Sequence, residues 1–328
     1  MIISRTPFRV SFVGGGSDID TFYRKHPGAV VSTTIDKYMY VMVNERFEDT
    51  IRVAYTETEI VDTVEEVKHD LVREAMKLVG IDGGVEVTTI ADVPAGTGLG
   101  SSSSLTVGLL KAFYAYRGEF KDRDELAREA CEIEIDILDR PIGKQDQYAA
   151  SFGGLNYIEF LRDGTVSVEP VTSLQDFKNS LENNLKLYYT GINHGSDRVL
   201  ERQKERTRSR SENVSNLKKM VELTQETRKS LEKGNYSKIG QLLKKNWRLK
   251  KRLSEGITNS RIDELYKAAL SSGASGGKIL GAGGRGFLLF YCDPEKQQKL
   301  KDQMDRKGLQ ETSFKFETEG SKIVYADE

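Results

Sequence analysis

Cysteine is nearly missing from this chain: Cys131 and Cys292 are the two copies in 328 residues. That excludes a disulfide scaffold and a cysteine-rich zinc site, and it fits a reducing compartment. Histidine is as scarce, with His26, His69 and His194, which leaves no multi-histidine metal centre. Net charge is almost absent as well. Lys+Arg (49) and Asp+Glu (50) cancel to −1, so no whole-molecule field draws the chain onto nucleic acid or an anionic membrane. Long apolar runs are lacking: the uncharged stretch 93–110 is rich in Gly, Ser and Thr, too polar for a membrane span. The first sixteen residues show no basic-then-apolar leader pattern, and a cytoplasmic protein without membrane partners is expected.

What is present is an ordinary globular composition, 38% hydrophobic and 30% charged, long enough for two domains. Glycine is the informative residue. Its 30 copies cluster at Gly14–Gly16, at Gly96, Gly98 and Gly100, at Gly153–Gly154, and at seven positions from Gly273 to Gly286. Such clusters mark tight backbone or close approach of a ligand, and several in one chain point to loops converging on a bound molecule.

Between the glycines, patterning predicts strands over 9–13, 29–43 and 85–90, with helices over 64–79, 102–116 and 122–138. A hairpin over 154–160 and 165–171 follows, turning at Asp163-Gly164. Beyond a strand at 185–190, a charged helical region runs over 197–255 with a break near Gly234. The tail reads helix 263–270, strands 278–280 and 287–292, helix 294–305, and strands 313–317 and 322–325. The expectation is an α+β chain of two domains, 1–175 and 176–328, with the glycine clusters at their junction.

Three segments carry chemistry. In Pro94–Ser104 (PAGTGLGSSSS) three glycines free the backbone, and serines then open a helix whose unpaired N–H groups and positive dipole end form an anion site. It is not a Walker A loop, because no Gly-Lys-Ser/Thr follows. In the next helix the apolar residues fall on one stripe, and among the carboxylates Glu134 alone lies within it. A buried carboxylate needs a partner, either a Lys or Arg or a Mg²⁺ ion. Twelve residues later Asp146 opens a helix, as a cap or as a catalytic acid. The third segment is Lys278–Gly286 (KILGAGGRG). Its glycines spell GxGxxG, but a strand follows where a dinucleotide site needs a helix. Likewise Gly273–Gly277 spells GxSxG, but no histidine follows it in the chain, which excludes a hydrolase triad.

In order, Arg5–Asp18 (RTPFRVSFVGGGSD), Pro94–Ser104 and Lys278–Phe287 resemble the three motifs of the GHMP kinases. Together with Gly28–Tyr38, Gly143–Gly154 and Tyr188–Ile192, they are most similar to the branch of D-glycero-D-manno-heptose 7-phosphate kinases and fucose kinases. The resemblance implies an N-terminal domain like domain 2 of ribosomal protein S5, a ferredoxin-like C-terminal domain, and ATP with Mg²⁺ in the cleft between them. It implies phosphorylation of the anomeric hydroxyl of the heptose 7-phosphate to the 1,7-bisphosphate, or of a free sugar such as fucose.

Carried over by position, Pro94, Gly96, Thr97, Gly98, Leu99, Gly100, Ser101, Ser102, Ser103 and Ser104 would hold the nucleotide. Ser102 and Glu134 would hold Mg²⁺, and Asp146 with Arg9 would be catalytic. Arg9, Gly15, Gly16, Ser17, Asp18, Lys144, Gly281, Gly283 and Gly284 would meet the sugar phosphate. Arg285 departs from the family glycine and raises the question of backbone strain. A homodimer stays open. The rival reading, nucleic-acid binding by the basic helix 198–219, lacks interleaved aromatics, and the rest of the chain balances its charge.

Overall fold

The protein was analysed as a computed structural model, which describes residues 1–172, 175–191 and 196–327. Ile192 and His194 therefore lie outside the described residues.

The chain opens with β1 (Ile2–Val13), a short α1 (Asp20–Tyr23) and the long β2 (Gly28–Glu45). Next come β3 (Ile51–Ala54), β4 (Thr58–Val61), α2 (Asp70–Val79), β5 (Val85–Ala91), α3 (Ser101–Tyr116), α4 (Arg123–Cys131) and α5 (Gln145–Phe152). A hairpin of β6 (Leu155–Phe160) and β7 (Val166–Pro170) precedes α6 (Gln175–Asn184) and β8 (Leu185–Tyr189). The helices α7 (Ser196–Ser209), α8 (Ser211–Glu232), α9 (Ser237–Lys250) and α10 (Ser260–Ser271) lead to β9 (Ala274–Ile279) and β10 (Phe287–Cys292). The chain closes with α11 (Pro294–Arg306), β11 (Glu311–Thr312), β12 (Phe316–Glu317) and β13 (Lys322–Ala326).

β2 organises the first sheet. Its many Val, Thr and Tyr residues favour extended chain, and its length lets it serve several partners. β1 runs antiparallel along it, from Ile2 opposite Val43 to Val13 opposite Val31. Its first half also pairs with β6, while its second half pairs with β5. β3 joins β5 in parallel, and β13 covers the outer edge of β1. α3 packs on β1 and β2, where Gly108 allows Ser4 Oγ to donate to its carbonyl at 2.8 Å. Phe8, Val10, Phe12, Val41, Leu110 and Phe113 fill this core.

The second sheet runs β11-β8-β10-β9, all antiparallel. Numbered by sequence that is order 4-1-3-2, with helices after the first and third strands, the ferredoxin-like βαββαβ plan. Four helices stand between its first two strands, and Trp247, Leu265, Phe290 and Met304 pack beneath them. β12 and β13 come from the last residues of the chain but extend the first sheet.

Several local expectations are corrected. The helix expected over 64–79 is a 3₁₀ turn (Val64–Glu66) followed by α2. The helix expected over 122–138 passes into a π-helical turn (Glu132–Ile137). A second break at Arg210 separates α7 from α8. The strand expected over 313–317 is extended at β12 alone, its last two residues; β11 precedes it and pairs with the other sheet. The small elements α1, β3 and β4 and the helix α6 carry too few periodic residues to be read from pattern alone.

Candidate active site

The loop after β5 curls through Gly96, Gly98 and Gly100, all at positive φ, into the first turn of α3. Ser104 N makes the first intrahelical bond, to Gly100 O at 2.9 Å, so the amides of Ser101–Ser103 open outward without helical partners. At Gly98 a side chain has no room. An added Cβ would lie 2.6 Å from Leu280 O, and one on Gly281 would lie 2.5 Å from the Gly98 Cα. The second and fourth glycine clusters thus cross in direct backbone contact and fix each other.

Gly96, Gly98, Gly100, Ser101, Ser102 and Ser103 line a cavity of about 550 Å³, together with Arg9, Asp146, Gly281, Gly283 and Arg285. The other predicted nucleotide residues serve differently. Leu99 is fully buried, and its carbonyl accepts from Arg9 N at 3.0 Å. Thr97 Oγ1 donates to Pro94 O, and Ser104 Oγ donates to Pro7 O. Pro94 lines a neighbouring, more apolar cavity of about 840 Å³ with Tyr55, Val93 and Leu105.

Asp146 stands in the first turn of α5, its carboxylate 3.4 Å from where a Cβ on Gly100 would be. Arg9 grips it with two bonds, Nε to Oδ1 at 2.7 Å and Nη2 to Oδ2 at 2.6 Å, while Nη1 reaches Gly98 O at 2.5 Å. Each carboxylate oxygen keeps a second lone pair for the cavity. This fork sets the carboxylate's orientation and places a permanent positive charge beside the loop. Asp18 supports α5 from below: its Oδ1 accepts from Gly16 N at 2.7 Å and its Oδ2 from Gln145 N at 3.4 Å. Burial, and then the Asp146 charge, push the Asp18 carboxyl above its ordinary range.

Glu134, in the π-turn, is fully buried. Ser102 Oγ donates to its Oε1 at 2.5 Å and Gln147 Nε2 to its Oε2 at 2.7 Å, with Arg140 Nη1 at 3.6 Å. Burial raises its carboxyl pKa against these hydrogen bonds. Arg140 also donates to Ser102 Oγ at 2.6 Å and bridges to both oxygens of Asp70. Among the described residues no group of three or more His, Cys, Asp and Glu could hold a metal. One carboxylate and one hydroxyl beside an anion loop nevertheless suit Mg²⁺, which keeps water and takes phosphate oxygens for the rest of its shell.

Some predicted residues lie elsewhere. Lys144 Nζ donates to Gly164 O at 2.8 Å and faces a separate cavity beside Tyr23, away from Asp146. Ser17 Oγ is bonded to both N and O of Ala29 and serves β2. Gly284 N donates to Ile257 O, so Gly284 anchors the third loop to the second core. Arg285 shows no positive φ; its guanidinium lies over Gly96, 3.2 Å from where a Cβ would be. The expected strain is absent.

The structure adds cations that the sequence reading missed. Lys250 on α9 is buried and donates to Gly281 O at 2.6 Å. Burial pushes its pKa down to about 8, against the pull of Asp18 and Asp146. Lys278 donates to Ser11 O and Phe12 O at 2.7 and 3.2 Å, tying β9 to β1; burial holds it well below the usual lysine range.

Comparison with known proteins gives the family. The family model for the GHMP kinases N terminal domain matches residues 62–154, and that for the GHMP kinases C terminal matches 227–310. A D-glycero-alpha-D-manno-heptose 7-phosphate kinase of Campylobacter jejuni is 32% identical, covering 98% of both chains. The chain belongs to the GHMP kinases. It is a small-molecule kinase of that family, with the family's two-domain α+β fold. A crystal structure described as a D-glycero-D-manno-heptose 1-phosphate kinase from Bacteriodes thetaiotaomicron superposes with TM-score 0.82, at 26% identity over the whole of both chains. A putative sugar kinase of Campylobacter jejuni gives 0.80 at 30% identity, covering 98% and 97% of the two chains. The motif-two loop lies within the first matched segment of the GHMP family and motif three within the second. Among the described residues no helix is long and apolar enough to cross a membrane.

Proposed function

We propose that this kinase transfers the γ-phosphoryl group of ATP to the anomeric hydroxyl of D-glycero-D-manno-heptose 7-phosphate, giving the 1,7-bisphosphate. The observation that carries this reading is the Arg9-clamped Asp146 carboxylate beside the start of α3, in one cleft with the glycine–serine loop. The substrate follows from similarity along the full length to the Campylobacter jejuni heptose 7-phosphate kinase.

The residues divide the work. The loop amides and the α3 dipole take the β- and γ-phosphates, and Arg140 and Arg285 border them from either side. The apolar cavity beside Pro94 takes the base. Asp146 accepts the acceptor's hydroxyl proton as that oxygen bonds to the γ-phosphorus, the bond to the β-bridging oxygen breaks, and ADP departs. Arg9 steadies Asp146 and offsets charge developing on the acceptor oxygen. Ser102 and Glu134 would hold Mg²⁺, which supplies neutralisation of phosphate charge. Reliance on ATP fits a cytoplasmic enzyme.

An ADP-release assay with Mg²⁺ tests the reading across heptose 7-phosphate, heptose 1-phosphate, fucose and mevalonate. The expected order puts heptose 7-phosphate first. The 1-phosphate arm answers the name of the Bacteriodes neighbour, and that compound lacks a free anomeric hydroxyl. Faster turnover of fucose would assign a free-sugar kinase, and turnover of mevalonate alone would overturn the sugar reading.

A further inference from the structure

Behind Asp146 the cleft narrows into a pocket of about 70 Å³ that shares Arg9, Asp146 and Leu200 with the main cavity. A water occupies ~30 Å³ in the liquid, so this space fits about two hydroxyl-sized groups. Its walls hold unspent hydrogen-bonding groups. Gln203 on α7 is 1% exposed, and among the described residues its Nε2 has no partner. Gln145 Oε1, buried on the other wall, has none among them either. Lys250 Nζ donates to Gly281 O and, among the described residues, forms no ion pair, although an ammonium carries three donors. Buried polar groups are normally satisfied, so donors and an acceptor left open around a void call for a ligand with both.

One glycine of the first cluster makes room for Gln203: a Cβ on Gly16 would sit 2.4 Å from Gln203 Nε2. Gly15 lies in ordinary contact range of the other two, its Cβ position 3.5 Å from Gln145 Nε2 and 3.7 Å from Lys250 Nζ. Side chains of α5, α7 and α9 thus meet around one pocket.

We infer that Gln203, with Gln145 and Lys250, forms the hydroxyl-reading end of the acceptor site, binding neighbouring hydroxyls of a polyol and thereby selecting sugars over acceptors with an apolar or carboxylate end. This rests on the sugar-kinase reading above and names residues that set its specificity. Neither the apolar cavity nor the Ser102–Glu134 pair offers such a mix of open donor and acceptor.

Calorimetry of the whole protein with heptose 7-phosphate tests it in the wild type, Gln203→Met and Lys250→Met. Leaving an acceptor hydroxyl unpaired should weaken sugar binding roughly 5- to 100-fold, with ATP affinity unchanged. The midpoint of thermal unfolding of Gln203→Met should not fall, because an unpaired buried donor is replaced by an apolar group of similar shape. Assayed against deoxy analogues, the variant should also lose discrimination that the wild type shows. Equal sugar affinity in wild type and both variants would overturn this inference alone. A fall in thermal midpoint with parallel loss of ATP and sugar affinity would assign Gln203 a structural role and overturn it too. Failure of the wild type to bind any sugar would overturn the functional reading along with it.

Discussion

At the serine-rich end of the cleft the lining is largely one segment, Gly96–Ser103, whereas the lining of the Asp146 end includes side chains from four elements. Arg9 comes from β1, Gln145 and Asp146 from α5, Gln203 from α7 and Lys250 from α9. The first end is built by backbone conformation within eight residues. The second exists only when elements 241 residues apart in sequence, Arg9 and Lys250, are folded together. Two carboxylates, Asp146 and Glu134, are handled in opposite ways. Asp146 is forked to a permanent cation, while Glu134 is buried among a hydroxyl and an amide, with a guanidinium 3.6 Å off. In the proposed mechanism the first arrangement orients a proton acceptor and the second keeps a charge for a cation.

Removing the side-chain chemistry should have the largest effect. Asp146→Asn keeps the shape but cannot take a proton, so kcat should fall about 10²–10⁴-fold, the usual contribution of a general base. ATP affinity should stay near wild type, because the loop amides are untouched; an unchanged kcat would remove Asp146 from its role.

Breaking the main-chain end should cost folding as well as binding. Gly98→Ala puts a Cβ 2.6 Å from Leu280 O at a φ of +85°. A loss of about 1–3 kcal/mol is expected in chemical denaturation, with weakened ATP binding. Wild-type stability would show that the loops do not brace each other.

The smallest effect, on folding stability, separates the two carboxylates. Glu134 protonates more readily when folded than when unfolded, because burial raises its pKa from the ordinary 4.5. Folded chains then hold the proton over a window in which unfolded chains have lost it, so wild-type stability drops as pH rises from about 4.5 toward the raised value. Glu134→Gln should lack that drop in thermal unfolding scanned over pH. Its half-saturating Mg²⁺ for catalysis should rise by at least the about 10–100-fold that loss of an outer-shell partner costs. Parallel pH profiles and identical Mg²⁺ titrations would reduce Glu134 to an internal ion pair with Arg140.

The same contrast explains what could be read before the fold was known. The anion loop was legible because spacing of glycines and serines is local. Glu134 was legible because a lone carboxylate on an apolar stripe stands out. Gln203 and Lys250 carry that same signal. Val199, Gln203 and Thr207 form a buried row on α7, and Leu243, Asn246, Trp247 and Lys250 form one on α9. The signal was hidden by the density of charge around it, which read only as a charged helical region; Arg206 and Lys204 pair with Glu255 and Asp20. Lys144 misled for the converse reason. It lies two residues from Asp146, but successive positions at a helix start point about 100° apart, and its ammonium faces Gly164.

Sequence by itself determined the glycine–serine bend, the inward acid, the main strands and the family, because each depends on residues within one turn, one strand or one short motif. Tertiary structure alone decided that β12 and β13 complete the first sheet, that Arg9 locks onto Asp146, and that α7 and α9 supply a wall of the pocket behind it. Those outcomes depend on which surfaces pack across the molecule, and helix or strand periodicity states which face is buried without stating against what.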